Sequence, residues 1–345
     1  MREIVFGIVG AGAISQLHAK AISALDNVRL AGFYDVYTPA AEARAKEYGV
    51  KAYAEYQDML DDPQVDAVII ATPSGMHRDT AVMAADAGKH IICEKPMEIT
   101  VQRIDDIIDA CERNNVLLGG IFQMRFSEPI RLVREAMSAG RFGKMVLASG
   151  VMRWYRSNEY YSSSDWRGTW SIDGGGALMN QAVHMVDVLI HINGDVESVS
   201  AVSGTLSHEI EVEDNLCAVL KYRNGSFGTI EVSTSCAPGF PRRMEFSGVN
   251  GTVTFEEDKI LRWEFCDKQE EDDRIVADSS QKESSHGGRT PLGISIDGHK
   301  AQLEDFACAI REGRAPAIDG REARRAIELI CAIYESAKSG KTVYL

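Results

Sequence analysis

Paired cysteines are missing from this sequence. Its seven cysteines, at 93, 111, 217, 236, 266, 308 and 331, are odd in number and show no C-x-x-C or C-x-x-x-x-C spacing. That pattern argues for reduced thiols, against a disulfide frame and against a structural zinc cluster. No apolar run reaches the roughly 20 residues that a membrane-spanning helix needs. Met1 leads straight into the apolar stretch Ile4–Val9, with no basic segment and no cleavage site. The expectation is a chain with no signal peptide, located in the cytoplasm. Positive charge is also scarce: 37 Lys and Arg against 51 Asp and Glu leave a net charge of −14. A nucleic-acid surface would need a basic stripe, so that partner class is excluded. No internal repeat or low-complexity tract stands out.

What is present reads as a two-domain globular protein, since 345 residues is long for a single core. Apolar runs and helical patterns alternate through the first third. Strands are expected at Ile4–Val9, Val28–Tyr34, Ala67–Ala71, His90–Glu94 and Val116–Phe122. Helices are expected between them, the one from Met76 to Ala87 closing on Gly88. Such alternation means a parallel, doubly wound α/β sheet. From residue 123 the pattern changes to long strands, with Asn224-Gly225 and Asn250-Gly251 as type I′ hairpin signals. We therefore expect domains at 1–122 and 123–345, the second an α+β unit with a large mixed or antiparallel sheet. The polar stretch 267–288 reads as an exposed insertion or loop, and two amphipathic helices, about 297–311 and 320–339, end the chain.

Two glycine-rich turns carry chemistry. Gly10-Ala11-Gly12-Ala13-Ile14-Ser15 joins the first strand to the first helix. Gly10 permits the tight turn, Gly12 lets backbone approach a pyrophosphate, and Ser15 takes the small third position. The helix amides then face the anion. Asp35, at the end of the second strand, is placed to bond both ribose hydroxyls and to repel a 2′-phosphate, which favours NAD over NADP. The alternative for Asp35 is a solvated turn aspartate. Thr72, Pro73 and His77, after the third apolar strand, line the same crevice. Glu94-Lys95-Pro96 ends another strand, and so holds a lysine at the carboxyl edge of the sheet, where ligands bind. The second turn is Gly174-Gly175-Gly176, followed by a helix bearing Asn180, His184 and Asp187 on one face. Histidine suits proton exchange near neutrality. Asn180 can orient a ligand hydroxyl, and Asp187 can hold the imidazole or cap a buried network. A satisfied, half-buried histidine is the competing reading. His184, Asp187 and His191 do not make a metal spacing, so no metal is expected. The loop Trp154-Tyr155-Arg156 with Tyr160–Gly168 suits stacking on a sugar ring or a subunit interface.

Gly10-x-Gly12, Thr72-Pro73, Glu94-Lys95-Pro96 and Asn180-x-x-x-His184, in that order, resemble the Gfo/Idh/MocA family of oxidoreductases over nearly the whole chain. The resemblance implies a Rossmann domain, an open-faced sheet domain, NAD as cofactor and a homo-oligomer, most simply a tetramer. It implies that Lys95 lies beside the reacting carbinol, that His184 is the acid/base, and that Glu94 belongs to the cofactor side. It places Arg167, Tyr155, Gln123 and Asn180 toward the substrate, a carbohydrate-like small molecule. Inositol dehydrogenases carry aspartate four residues before the histidine, where this chain has Asn180. Asn-Gln-x-x-His after Trp166-Arg167-Gly168-Thr169-Trp170 is more similar to members acting on sugars and nucleotide sugars. The expected activity is hydride transfer between a ring secondary alcohol and NAD. The alternatives are an NAD-using glycosidase working by transient oxidation and elimination, and a non-catalytic sensor on the same scaffold.

Overall fold

The computed structural model describes residues 2–280 and 295–345. Six strands form the first sheet: β1 (Ile4–Val9), β2 (Val28–Tyr34), β3 (Lys51–Ala52), β4 (Ala67–Ile70), β5 (His90–Cys93) and β6 (Leu118–Gly120). Their order is β3-β2-β1-β4-β5-β6, and each neighbouring pair is parallel. β1 and β4 are buried at every position, as expected of strands covered by helices on both faces. The order reverses between β1 and β4, so the β1–helix turn and the end of β4 share the crevice where such sheets bind ligands.

Eight strands form the second sheet: β7 (Met145–Arg153), β8 (Val196–Gly204), β9 (Asn215–Tyr222), β10 (Phe227–Ser233), β11 (Arg243–Gly248), β12 (Gly251–Glu256), β13 (Lys259–Phe265) and β14 (Val343–Tyr344). Their order is β13-β12-β11-β7-β10-β9-β8-β14, with only β7 and β10 parallel. Burial alternates along β9, so one face is covered and the other open.

The compact units are residues 1–123 with 296–327, and 124–295 with 328–345. The expected single boundary near 122 is therefore corrected, because helix Asp297–Glu312 belongs to the first unit. Its Leu303, Phe306 and Ala307 enter the core beside Ile4, Phe6 and Ile121. Gln302 clamps the edge strand: its amide oxygen accepts from Phe122 N at 3.1 Å, and its amide nitrogen donates to Gly120 O at 2.6 Å.

Both hairpins form without the expected type I′ turns. At Asn224-Gly225 only Gly225 takes positive φ, 87°. Asn224 instead accepts from Ser226 N at 2.9 Å and donates to Asn193 O at 2.8 Å, which holds it in ordinary backbone space. In the next hairpin Gly248 pairs with Gly251, so the turn is Val249-Asn250 and Gly251 is already strand. The stretch 267–288 is not simply a loop. A helix spans Asp272–Ser280, and Asp272 ion-pairs with Arg141 at 2.7 Å while accepting Trp263 Nε1 at 2.7 Å. Residues 281–288 lie outside the described residues. All seven cysteines are unbridged. Among the described residues, no helix is long and apolar enough to cross a membrane.

Candidate active site

In the first unit the turn after β1 is built around Asp35. Its carboxylate accepts from Ala11 N at 2.7 Å and Tyr37 N at 2.8 Å, so this is not a freely solvated side chain. Gly10 has φ +96°, and a Cβ there would stand 2.5 Å from Ala71 O, which pins the turn against the end of β4. Ser15 Oγ donates to Gly12 O at 2.6 Å. Helix Ala13–Ser23 starts without a side-chain cap, and a Cβ on Gly12 would meet nothing within 4 Å. The Thr72 hydroxyl is buried and has no hydrogen-bond partner among the described residues. An uncapped helix start, open space above it and an unsatisfied hydroxyl fit a dinucleotide phosphate.

Glu94 and His77, both expected on the cofactor side, are buried and bonded within the protein. Glu94 is buried; its Oε1 lies 2.7 Å from His18 Nε2, and its Oε2 accepts from Lys95 N at 2.9 Å. Burial pushes this carboxyl up, but the hydrogen bond and charge of His18, with His299 and Lys95, outweigh it and hold it at about 2. His77 is also buried, its ring nitrogens 2.8 Å from Thr72 O and 3.0 Å from Pro96 O. That ring ties the turn after β4 to the one after β5, and so helps fix the backbone that carries Lys95. The chain at Lys95-Pro96 is cis. Gln123 closes this unit, half-buried against Gly298, where a Cβ would stand 2.8 Å from Gln123 O.

His18, Glu94 and His299 are the candidate metal-ligating cluster among the described residues, their atoms within 4.8 Å of one another. Two ligands of one zinc stand roughly 3.3 Å apart when each lies about 2.0–2.1 Å from the ion. The 2.7 Å separation of His18 and Glu94 is a hydrogen bond instead.

In the second unit the segment after Gly174-Gly175-Gly176 is not one continuous α-helix. Ala177–Gln181 form a π-helical turn, Ala182 breaks it, and an α-helix runs from Val183 to Asn193. Such wide turns recur at functional sites. Asn180 lies in the π turn and His184, buried, in the first turn of the following helix. Asp187 is taken by a two-pronged pair with Arg125, at 2.6 and 2.9 Å. Asn180 Nδ2 donates to Asp173 Oδ1 at 2.5 Å, and its Oδ1 accepts from Gln181 Nε2 at 2.5 Å. Gln181 continues the chain to Tyr160 Oη at 2.9 Å and accepts from Arg156 Nη2 at 2.8 Å. Arg167 Nη1 donates to Tyr160 Oη at 2.7 Å, and its guanidinium lies 4.6 Å from the ring centres of both Tyr160 and Trp166. Arg156 is buried over Trp154, and desolvation lowers its pKa. Tyr155 stays apart: its side chain is exposed and makes no hydrogen bond or ring contact among the described residues, and the next residue, Arg156, joins the cluster instead.

Two family models match the chain. Residues 4–121 match the oxidoreductase family with an NAD-binding Rossmann fold, and residues 130–254 match the GFO/IDH/MocA C-terminal domain. The WlbA dehydrogenase of Bordetella pertussis, solved with NADH and UDP-GlcNAcA, is 34% identical, with a TM-score of 0.92 over 100% of this chain and 98% of that one. The chain belongs to the Gfo/Idh/MocA family. The WlbA dehydrogenase solved from Chromobactrium violaceum with the same ligands is 32% identical, covering 100% and 96% of the two chains at a TM-score of 0.91. A curated member, myo-inositol 2-dehydrogenase of Thermotoga maritima, is 26% identical over 98% of both chains. The matched model is an oxidoreductase family with an NAD-binding Rossmann fold, both WlbA structures hold NADH, and the turn around Gly12, Asp35 and Thr72 fits that cofactor.

Proposed function

We propose that this family member oxidises a ring secondary alcohol of an anionic, UDP-linked sugar. The observation that carries the reading is Arg167. It sits between two aromatic faces, and no carboxylate among the described residues pairs with it. In a chain of net charge −14, a cation held ready in this way suits a phosphate or carboxylate and is wasted on a neutral cyclitol. The greater identity to the WlbA dehydrogenases than to the inositol enzyme supports the same choice.

The chemistry that a bound nicotinamide supplies is hydride acceptance from the carbon being oxidised. His184 takes the hydroxyl proton as the carbonyl forms. Lys95 donates a hydrogen bond to the oxygen while it carries negative charge. Asn180, oriented by Asp173 and Gln181, holds a ring hydroxyl, and Arg167 holds an acidic group. A screen following NADH absorbance tests this, with UDP-GlcNAcA, UDP-GlcNAc, levoglucosan and myo-inositol as substrates. Turnover is expected with UDP-GlcNAcA and should fall in Arg167→Ala through a higher KM. Turnover of myo-inositol with none of UDP-GlcNAcA overturns the reading.

The same proposal includes a homo-oligomer. The open face of the second sheet presents Leu147, Val202, Val219 and Phe227, and Phe227 lies directly beside Leu147. An open sheet face with exposed apolar side chains among ion pairs such as Arg153–Glu231 suits a second copy of the chain. Light scattering at micromolar concentration should give a dimer or tetramer, and Phe227→Asp should lower that mass. A monomer mass for the parent protein rejects it.

A further inference from the structure

We infer that Glu213 is a positioning residue for the turn that carries Asn180 and leads into His184, and that Tyr334 shares the task. Glu213 is buried at the end of the segment leading into β9, remote in sequence from the turn it holds. Its Oε2 accepts from Gly176 N at 2.9 Å, its Oε1 from Leu178 N at 2.8 Å, and its backbone oxygen from Ala177 N at 3.0 Å. Tyr334 Oη donates to Glu213 Oε1 at 2.9 Å and accepts from Met179 N at 3.2 Å. The amides of Gly176, Ala177, Leu178 and Met179, which a helical turn leaves without partners, are all satisfied by this pair. An internal side chain therefore occupies the amides that the start of a helical turn would otherwise leave to a ligand or water.

The glycines follow from that contact. A Cβ on Gly175 would stand 2.1 Å from Tyr334 Oη, and one on Gly176 would stand 1.9 Å from Glu213 O. Gly175 and Gly176 are thus needed so that the carboxylate and phenol can reach the backbone. From the turn the constraint passes along Asp173, Asn180, Gln181, Tyr160 and Arg156 by the hydrogen bonds described above. The adjacent Asp214 holds the other side of that cluster. It accepts from His208 Nδ1 at 2.9 Å, while His208 Nε2 lies 2.8 Å from Arg156 O. Glu213 and Asp214, neighbours in sequence, thereby set both the turn and the arginine.

The inference rests on the reading of His184 as the proton acceptor, so its test needs a readout that survives failure of that reading. Full-length Glu213→Gln, Glu213→Asp and Tyr334→Phe are compared with the parent for kcat and KM with UDP-GlcNAcA, NADH affinity and melting temperature. The ring resonance of His184 in histidine-labelled protein, assigned by its loss in His184→Ala, is followed alongside. A misplacement of about 1 Å costs on the order of 100-fold in rate. Glu213→Gln should therefore lower kcat by about 10- to 100-fold, leave NADH affinity within about twofold, and shift the His184 resonance. Glu213→Asp should recover part of the rate, and Tyr334→Phe should lose less than Glu213→Gln. Unchanged kcat per folded molecule with an unmoved His184 resonance overturns the inference, whatever the melting temperature does. Should Glu213→Gln fail to fold, kcat and the His184 resonance of Tyr334→Phe decide in its place: both altered supports the inference, both unchanged overturns it. If the parent does not turn over UDP-GlcNAcA, the substrate reading fails, and the His184 resonance still decides for or against Glu213.

Discussion

The two glycine-rich turns of this protein look alike in sequence and are opposite in structure. Around Gly12 the helix start is uncapped, and space above the glycine is open. Around Gly176 the amides of the turn are filled by Glu213 and Tyr334, and no room remains for a Cβ. In both cases glycine permits a close approach to backbone. What approaches is decided by a different part of the chain: where none reaches the turn it suits a cofactor's phosphate, and where the segment entering β9 delivers a carboxylate it becomes scaffold.

On the proposed reading, binding belongs to one turn and support of chemistry to the other, and the largest effects should separate them. His184→Ala and Lys95→Ala should each lower turnover by about 10²- to 10⁴-fold, the usual contribution of a positioned acid or base, with NADH affinity nearly intact. For a histidine that only fills space, turnover per folded molecule would stay constant while the melting temperature dropped. A second experiment makes the first turn resemble the second. Gly12 lies in backbone space open to any residue (φ −70°), so Gly12→Asp puts a carboxylate over the helix start without strain. NADH affinity should fall roughly 100-fold through like-charge repulsion and lost space, with no loss of melting temperature in the cofactor-free protein. Affinity within about threefold of the parent would break the assignment.

Smaller effects sharpen it. Gly176→Ala should destabilise by about 1–3 kcal/mol through overpacking, whereas Gly12→Ala should cost under about 1 kcal/mol. Denaturant unfolding of the two variants side by side decides, and equal losses would count against the distinction. The last contrast is between the two buried glutamates. Burial pushes the Glu213 carboxyl up to about 7, whereas Glu94 is held down at about 2. A raised carboxyl contributes stability below its unfolded pKa and loses it as pH rises through the folded value. The stability gap between the parent and Glu213→Gln should therefore shrink from about pH 5 to about pH 8. The gap for Glu94→Gln should run the other way, because a lowered carboxyl loses its contribution as pH falls from about 4.5 toward 2. Parallel gaps for the two variants would refute the contrast.

The first sheet was legible because continuous apolar strands between helical patterns admit few other architectures. The oxidoreductase family followed from Gly10, Gly12, Lys95 and His184 in order. The support around them was not legible. Spacing of i, i+4 reads the same whether Asn180 lies on an α-helix or a π turn, and only the break at Ala182 separates the two. The roles of His18 and Tyr334 carry no local signal, because their partners lie far away in the chain. The acid pair Glu213-Asp214, entering a strand of alternating pattern, is the available hint, since charges at a buried strand start need partners. Asn224-Gly225 misled because the asparagine side chain found a better bond than the expected turn offered.

The return of helix Asp297–Glu312 to the first unit bears on how the chain is made. Domains commonly fold as they emerge from the ribosome, amino-terminal first. Here the cofactor-binding core includes Leu303 and Phe306, and Gln302 clamps its edge strand. Every residue up to Phe306 must be synthesised before Phe6 meets that partner, 6.4 Å away between ring centres. Until then the core of the first 123 residues lacks Leu303, Phe306 and Ala307. The first unit's core is thus closed by a segment that the chain delivers only after the whole of the second sheet's β7–β13 has been laid down.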